Sequence, residues 1–200
     1  MEKFDVEAFR ARNVCTNFYD STFHAVGKMI HTDEELQQKI REAVKGKRVI
    51  ELGCNNTGRY CVTLLALLGA DSYVGVDPFY APDADGLKEW FKEIGHPELT
   101  EKDVRYVVRD AASYLQSIRS KGKERVATFS SGVLESSIIF DKDYAREAVR
   151  EIARLTRPES SAIHVTDRSF TDLFQEEGLL LDFGRTLSDN ITLGIYSRAA

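Results

Sequence analysis

The sequence predicts an α/β protein, a single doubly wound and mostly parallel sheet with helices on both faces. Three observations predict it. Strand-like and helix-like segments alternate from residue 33 onward. Several of the helix-like segments carry apolar residues at three- and four-residue spacing, so each has one face to bury. Gly46, Gly69, Asp77-Pro78 and Pro158 punctuate the alternation where an element must stop. Strands separated by helical crossovers pair in parallel through right-handed connections, which places helices on both sides of the sheet.

The elements follow in order. Thr32-Asp33-Glu34-Glu35 is a capping box with acids in the first turn, where the helix dipole favours them. Leu36, Ile40 and Val44 form the inward stripe of that helix. Arg48 to Leu52 is the first strand, and Gly53 to Gly58 a tight loop. Tyr60 to Leu68 is apolar nearly all round, as a helix buried on a sheet should be. Ser72 to Val76 is the second strand, a helix surrounds Leu87 to Ile94, and Val104 to Val108 is the third strand. A helix from Ala111 to Ser120 leads to the fourth strand, Val126 to Phe129. Asp141 or Asp143 caps a helix whose stripe is Ala145, Ala148, Val149, Ile152 and Ala153. Ala162 to Val165 is the fifth strand, and Ser169-Phe170-Thr171-Asp172 is a second capping box. Leu179 to Arg185 and Ile191 to Tyr196 close the chain as an antiparallel hairpin.

Composition bounds the function. At 200 residues, 42% hydrophobic and 30% charged, the chain suits one domain with a sizeable core. Its formal net charge of −5 disfavours a polyanionic partner, and no dense basic patch offsets it, so no nucleic-acid partner is expected. Three cysteines without metal-ligand spacing predict neither a disulfide framework nor a zinc site. No apolar run is long enough to span a bilayer, and the charged N-terminus lacks a signal-peptide core; a cytoplasmic protein without a membrane partner is expected.

In open parallel sheets, ligands bind beyond the carboxyl ends of the strands. The loop after the first strand is Glu51-Leu52-Gly53-Cys54-Asn55-Asn56-Thr57-Gly58. Its glycines and asparagines permit a sharp turn that a ligand approaches closely. It has no lysine for a phosphate, and Glu51 would repel one; a carboxylate there suits a cationic amine or sulfonium. Asp77, ending the second strand, can accept both hydroxyls of a ribose. Pro78 and Phe79 give an apolar surface for a purine. Asp110 can accept from an adenine amino group, with Ala111 beside it. Ser130 and Ser131, after the fourth strand, join this set by position.

These residues resemble the motifs of the class I S-adenosylmethionine-dependent methyltransferases over residues 33 to 200. Val49-Ile50-Glu51-Leu52-Gly53-Cys54 resembles the family's first motif, Val74-Gly75-Val76-Asp77 its second strand, and Arg109-Asp110-Ala111 its adenine-contacting stretch. Ile152 to Pro158 resembles the segment before its fifth strand. The chain departs from the family where Asn55 and Asn56 replace loop glycines and where Pro158-Glu159-Ser160 replaces Pro-Gly-Gly. The resemblance implies a seven-stranded sheet with the last strand antiparallel. It also implies S-adenosylmethionine as cofactor, S-adenosylhomocysteine as product, and in-line methyl transfer.

Residues 1 to 32 are expected to form a helical lid over the domain of residues 33 to 200. Phe18, Tyr19 and Phe23 could close on the ligand, or simply pack one helix onto the sheet. Tyr19 and His24 are the candidates for a catalytic role, and the connection from Ser131 to Phe140 is the other acceptor wall. So compact an enclosure favours a small-molecule acceptor. Two other readings stay open: a non-catalytic nucleoside-binding domain, and a nicotinamide-dependent oxidoreductase, against which the missing GxGxxG argues.

Overall fold

The structure, a computed structural model, describes residues 21–54, 59–79, 84–118, 125–135, 139 and 141–198. In chain order the elements are α1 (Ser21–Thr32), α2 (Glu34–Val44), β1 (Arg48–Leu52) and α3 (Arg59–Val62), which runs into a π-helical turn (Thr63–Leu67). They continue as β2 (Ser72–Asp77), α4 (Ala84–Glu93), a 3-10 turn (Pro97–Glu101), β3 (Asp103–Val108), α5 (Ala111–Ser117) and β4 (Val126–Leu134). The last five are α6 (Lys142–Leu155), β5 (Ser161–Asp167), α7 (Arg168–Glu176), β6 (Leu179–Ser188) and β7 (Ile191–Arg198).

The seven strands form one sheet in the order β3-β2-β1-β4-β5-β7-β6. The pairs from β3 through β5 are parallel, and β7 runs antiparallel between β5 and β6. The chain builds outward from β1 to β3, then crosses back to place β4 against the other side of β1. In open sheets ligands bind at such a reversal, here at the carboxyl ends of β1 and β4 with β2 beside them.

Alternation along the strands sorts side chains into two cores. Val49, Tyr73, Phe129 and Ile163 face a layer containing Val26 and Ile30 of α1, Leu36 and Ile40 of α2, Leu64 beside α3 and Phe91 of α4. Ile50, Leu52, Val74 and Val76 face Leu115 of α5, Val149 and Ile152 of α6, and Phe170 and Phe174 of α7. Each such aliphatic or aromatic burial contributes roughly 1.5–3 kcal/mol, which is what holds both layers to the sheet. The inward stripe expected for α6 is buried as a whole.

Four local readings are corrected. The cap of α2 is Asp33, whose carboxylate accepts from the Leu36 N–H at 2.9 Å. Thr32 instead ends α1 and turns its hydroxyl to the Lys28 carbonyl. The cap of α7 is Asp167, accepting from the Phe170 N–H at 3.0 Å, because β5 runs on to that residue and Ser169 already lies in the first turn. The segment after Arg59 widens into a π turn, in which the Leu68 N–H reaches back five residues to the Thr63 carbonyl. Finally, β4 does not stop at Phe129. It continues through Ser130, Ser131 and Gly132 to Leu134, with an irregularity in its pairing to β5 and Gly132 at φ 75°. Small polar residues carry no strand signal, yet a bulge accommodates them in the middle of a sheet.

Candidate cofactor site at the strand ends

β1 and β2 lie in register, with Val49 opposite Tyr73 and Glu51 opposite Gly75. Alternation therefore sends Glu51, Tyr73 and Asp77 to the same face of the sheet. Glu51 is 1% exposed and Asp77 6%. The Tyr73 hydroxyl donates to Glu51 Oε2 at 2.5 Å. Burial, with the charge of Asp77 adding to it and the Tyr73 hydrogen bond opposing it, pushes the Glu51 carboxyl up to about 8. Burial thus holds Glu51 toward its neutral, protonated form.

Gly53 makes that turn at φ 70°, and its N–H is held by the Val76 carbonyl at 2.7 Å. A side chain there would meet Val133 Cγ2 at 2.1 Å, so the bulged end of β4 passes directly over this glycine. Cys54 follows, buried, with its N–H also directed at Val76. Burial pushes the Cys54 and Cys61 thiols well up, so neither is a thiolate nucleophile. Asn55 and Asn56 lie outside the described residues.

Asp77 ends β2 in a turn, with Oδ1 accepting from the Phe79 N–H at 2.8 Å. Its own carbonyl accepts from the Arg109 N–H at 3.0 Å, which ties the end of β2 to the end of β3. Pro78 and Phe79 are half-buried there. Asp110 is the N-cap of α5, its Oδ1 accepting from the Ser113 N–H at 2.9 Å; it is 4% exposed, with Ala111 half-buried beside it.

Ser130 separates from the set. Pairing of β1 with β4 sets it opposite Leu52, on the face away from Glu51 and Asp77. Its hydroxyl meets His164 Nδ1 at 2.8 Å, while the Thr128 hydroxyl meets Nε2 at 2.9 Å. Held between two hydroxyls and fully buried, His164 is pulled down to about 3 by desolvation and stays neutral. Ser131 is 9% exposed at the start of the bulge.

Among the catalytic candidates, Tyr19 lies outside the described residues, as does Phe18, and His24 is placed only by its position on α1. Val26 and Ile30 of that helix are fully buried. Sequence reasoning missed Tyr73 and Gly75, although period-two alternation from Asp77 would have found both. A Cβ on Gly75 would meet the Tyr106 ring at 2.7 Å and Cys54 Sγ at 2.8 Å, the close approach that a glycine inside a strand often marks. Sequence reasoning did not single out Glu135 either, which directly follows the extended β4 and is 6% exposed.

No protein-family profile and no curated protein sequence matches the chain. Solved structures do. The PH0226 protein from Pyrococcus horikoshii OT3 superimposes with a TM-score of 0.57 at 15% identity, over 98% of this chain and 100% of that one. An O-methyltransferase from neocarzinostatin biosynthesis, solved with S-adenosylmethionine and 2-hydroxy-5-methyl naphthoic acid, gives 0.50 at 12% identity, over 86% of this chain and 61% of that one. A Streptococcus pneumoniae protein with an inferred tRNA (m1A22) methyltransferase activity gives 0.54 at 8%, over 82% and 69%. The fold is that of the class I methyltransferases. Within the methyltransferase fold, β1, β2 and β3 are the strands whose ends carry Glu51, Asp77 and Asp110. Among the described residues, no helix is long and apolar enough to cross a membrane.

Proposed function

We propose that the protein is an S-adenosylmethionine-dependent methyltransferase acting on a small-molecule acceptor. The observation that carries this reading is the pair of buried carboxyls, Glu51 and Asp77, on one face of the sheet beside a turn that only glycine fits. The donor set suits the cofactor: carboxyls at two strand ends can accept from ribose hydroxyls and an ammonium, and the loop after β1 carries no lysine for the pyrophosphate of a dinucleotide.

Bound there, the cofactor supplies a methyl group on a positively charged sulfur. Asp77 would accept from the ribose hydroxyls, its carboxyl already oriented by the Phe79 N–H. Phe79 and Pro78 would flank the purine, Asp110 and Ala111 would meet its polar edge, and Gly53 and Cys54, with Asn55 and Asn56 from the sequence reading, would hold the amino-acid end. Alignment of this kind is worth roughly 7–11 kcal/mol of the barrier, so no fixed triad is needed. A base enters only when the acceptor must lose a proton, and Tyr19 and His24 remain our candidates. The formal net charge of −5 supports a small acceptor over a nucleic acid. Residues 1 to 32 are our assignment for its lid. An acceptor panel showing transfer only to RNA or protein would refute that part alone.

Titration calorimetry tests the cofactor. S-adenosylhomocysteine is expected to bind and NAD not to. Asp77→Ala should weaken S-adenosylhomocysteine at least about tenfold, since a hydrogen bond to a charged group is worth about 1.5–3 kcal/mol. The far-ultraviolet circular dichroism should not change. Equal affinity in the variant removes Asp77 from the site.

A further inference from the structure

The end of β4 has no apolar pattern to fix its register. Between Phe129 and Val133 the chain reads Ser130-Ser131-Gly132, with no apolar side chain to choose a face, and such a stretch specifies its pairing weakly. The structure nonetheless holds one register. β4 pairs with β5 residue for residue from Ala127 opposite Ser161 to Ser130 opposite His164, and resumes with Leu134 opposite Thr166. Three residues of β4 thus span the place of one in β5, and Gly132 turns at φ 75° among them. The slack carries Val133 over Gly53, where a Cβ on the glycine would collide with its Cγ2.

The last paired residue before the slack is the one that His164 holds. From the far face of the sheet, Nδ1 meets the Ser130 hydroxyl at 2.8 Å and Nε2 meets the Thr128 hydroxyl at 2.9 Å. All three residues are at most 1% exposed, so breaking either bond leaves a covered polar atom unsatisfied. A slip of one residue would exchange Ser130 with Ser131 across the sheet, break the Nδ1 bond and move Val133 off Gly53. Thr128 is different: Ala127 and Phe129, both fully buried, already fix its face. We propose that His164 is a positioning residue which, through Ser130, fixes where the bulge of β4 begins and so holds Val133 over the Gly53 turn from the opposite face of the sheet. Nδ1 sets the register, and Nε2 only anchors the ring. The consequence for cofactor affinity rests on the reading of Gly53 as part of the cofactor site; the register itself does not.

The test uses the reach of two amides. An asparagine amide stands in for Nδ1 and a glutamine amide for Nε2, so His164→Asn keeps a bond for Ser130 and His164→Gln keeps one for Thr128. In ligand-free protein, amide hydrogen exchange at Gly53 and from Ser131 to Leu134 should quicken in His164→Gln and stay near wild type in His164→Asn. Calorimetry with S-adenosylhomocysteine should split the same way, about tenfold weaker for His164→Gln and less than about twofold for His164→Asn. Both variants should lose stability in urea, so loosened packing alone predicts no such split. Ser130→Ala and Thr128→Val repeat the comparison with the imidazole intact, and serve if a His164 variant does not fold; only Ser130→Ala should quicken exchange. Equal exchange within each pair, raised or unchanged, would overturn the inference. Split exchange with equal affinities would overturn its link to the cofactor. Split exchange in a protein whose wild type binds no S-adenosylhomocysteine would leave the positioning role standing and overturn the cofactor reading.

Discussion

Gly53, Asp77 and His164 illustrate how single residues set the properties of the strand ends. Gly53 holds a left-handed backbone under Val133, so two separate costs attach to any side chain there. Left-handed geometry alone costs roughly 1–2 kcal/mol. Gly53→Ala should therefore lower unfolding stability by at least that much in urea, and weaken S-adenosylhomocysteine binding. Adding Val133→Ala should restore only the steric share; full recovery would mean the backbone is unstrained. His164 bears on pH. Its folded value, near 3, lies below the ordinary 6.5, so the unfolded chain takes up a proton that the folded chain refuses. Stability from this group is intact above pH 6.5 and falls toward pH 3, by about 1.4 kcal/mol per unit. Glu51 acts oppositely: its folded value is raised to about 8, so its contribution is intact below pH 4.5 and lost as pH rises toward 8. Urea melts between pH 7 and 5 should show His164→Gln losing less stability on acidification than wild type. Parallel losses would show that His164 is reached by solvent.

At the scale of elements, aspartates do much of the work of starting helices. Asp33, Asp110, Asp141 and Asp167 each accept a hydrogen bond from a first-turn N–H. Asp167→Ala should cost about 1 kcal/mol in chemical denaturation, while Ser169→Ala should cost almost nothing. The reverse result would restore the cap to the place where sequence patterning set it. That comparison also shows where sequence reading succeeds and fails. The α6 stripe was legible because amphipathic spacing alone decides which face is buried. The cap of α7 was not, since Ser169-Phe170-Thr171-Asp172 satisfies the same pattern as Asp167 and only the true end of β5 chooses between them. The end of β4 was hidden for a related reason. Ser130-Ser131-Gly132 has turn composition, but pairing with β1 and β5 overrides it.

At the scale of the whole molecule, strand order follows from the alternation of elements, and strand order puts the ends of β1 and β4, with β2 beside them, at the point of reversal. Glu51, Asp77 and Asp110, at the ends of β1, β2 and β3, were legible as residues, because each sits where a strand-like run stops. Their surroundings were not. That Glu51 is covered and bonded to Tyr73, and that Ser130 turns to the opposite face to hold His164, depends on the register between strands, which no single segment encodes. The most direct test is a crystal structure of the protein with S-adenosylhomocysteine bound. The account predicts both ribose hydroxyls within hydrogen-bonding distance of the Asp77 carboxyl, with the purine against Phe79. Adenosine seated away from the ends of β1 and β2, or a crevice filled by the protein's own side chains, would contradict it.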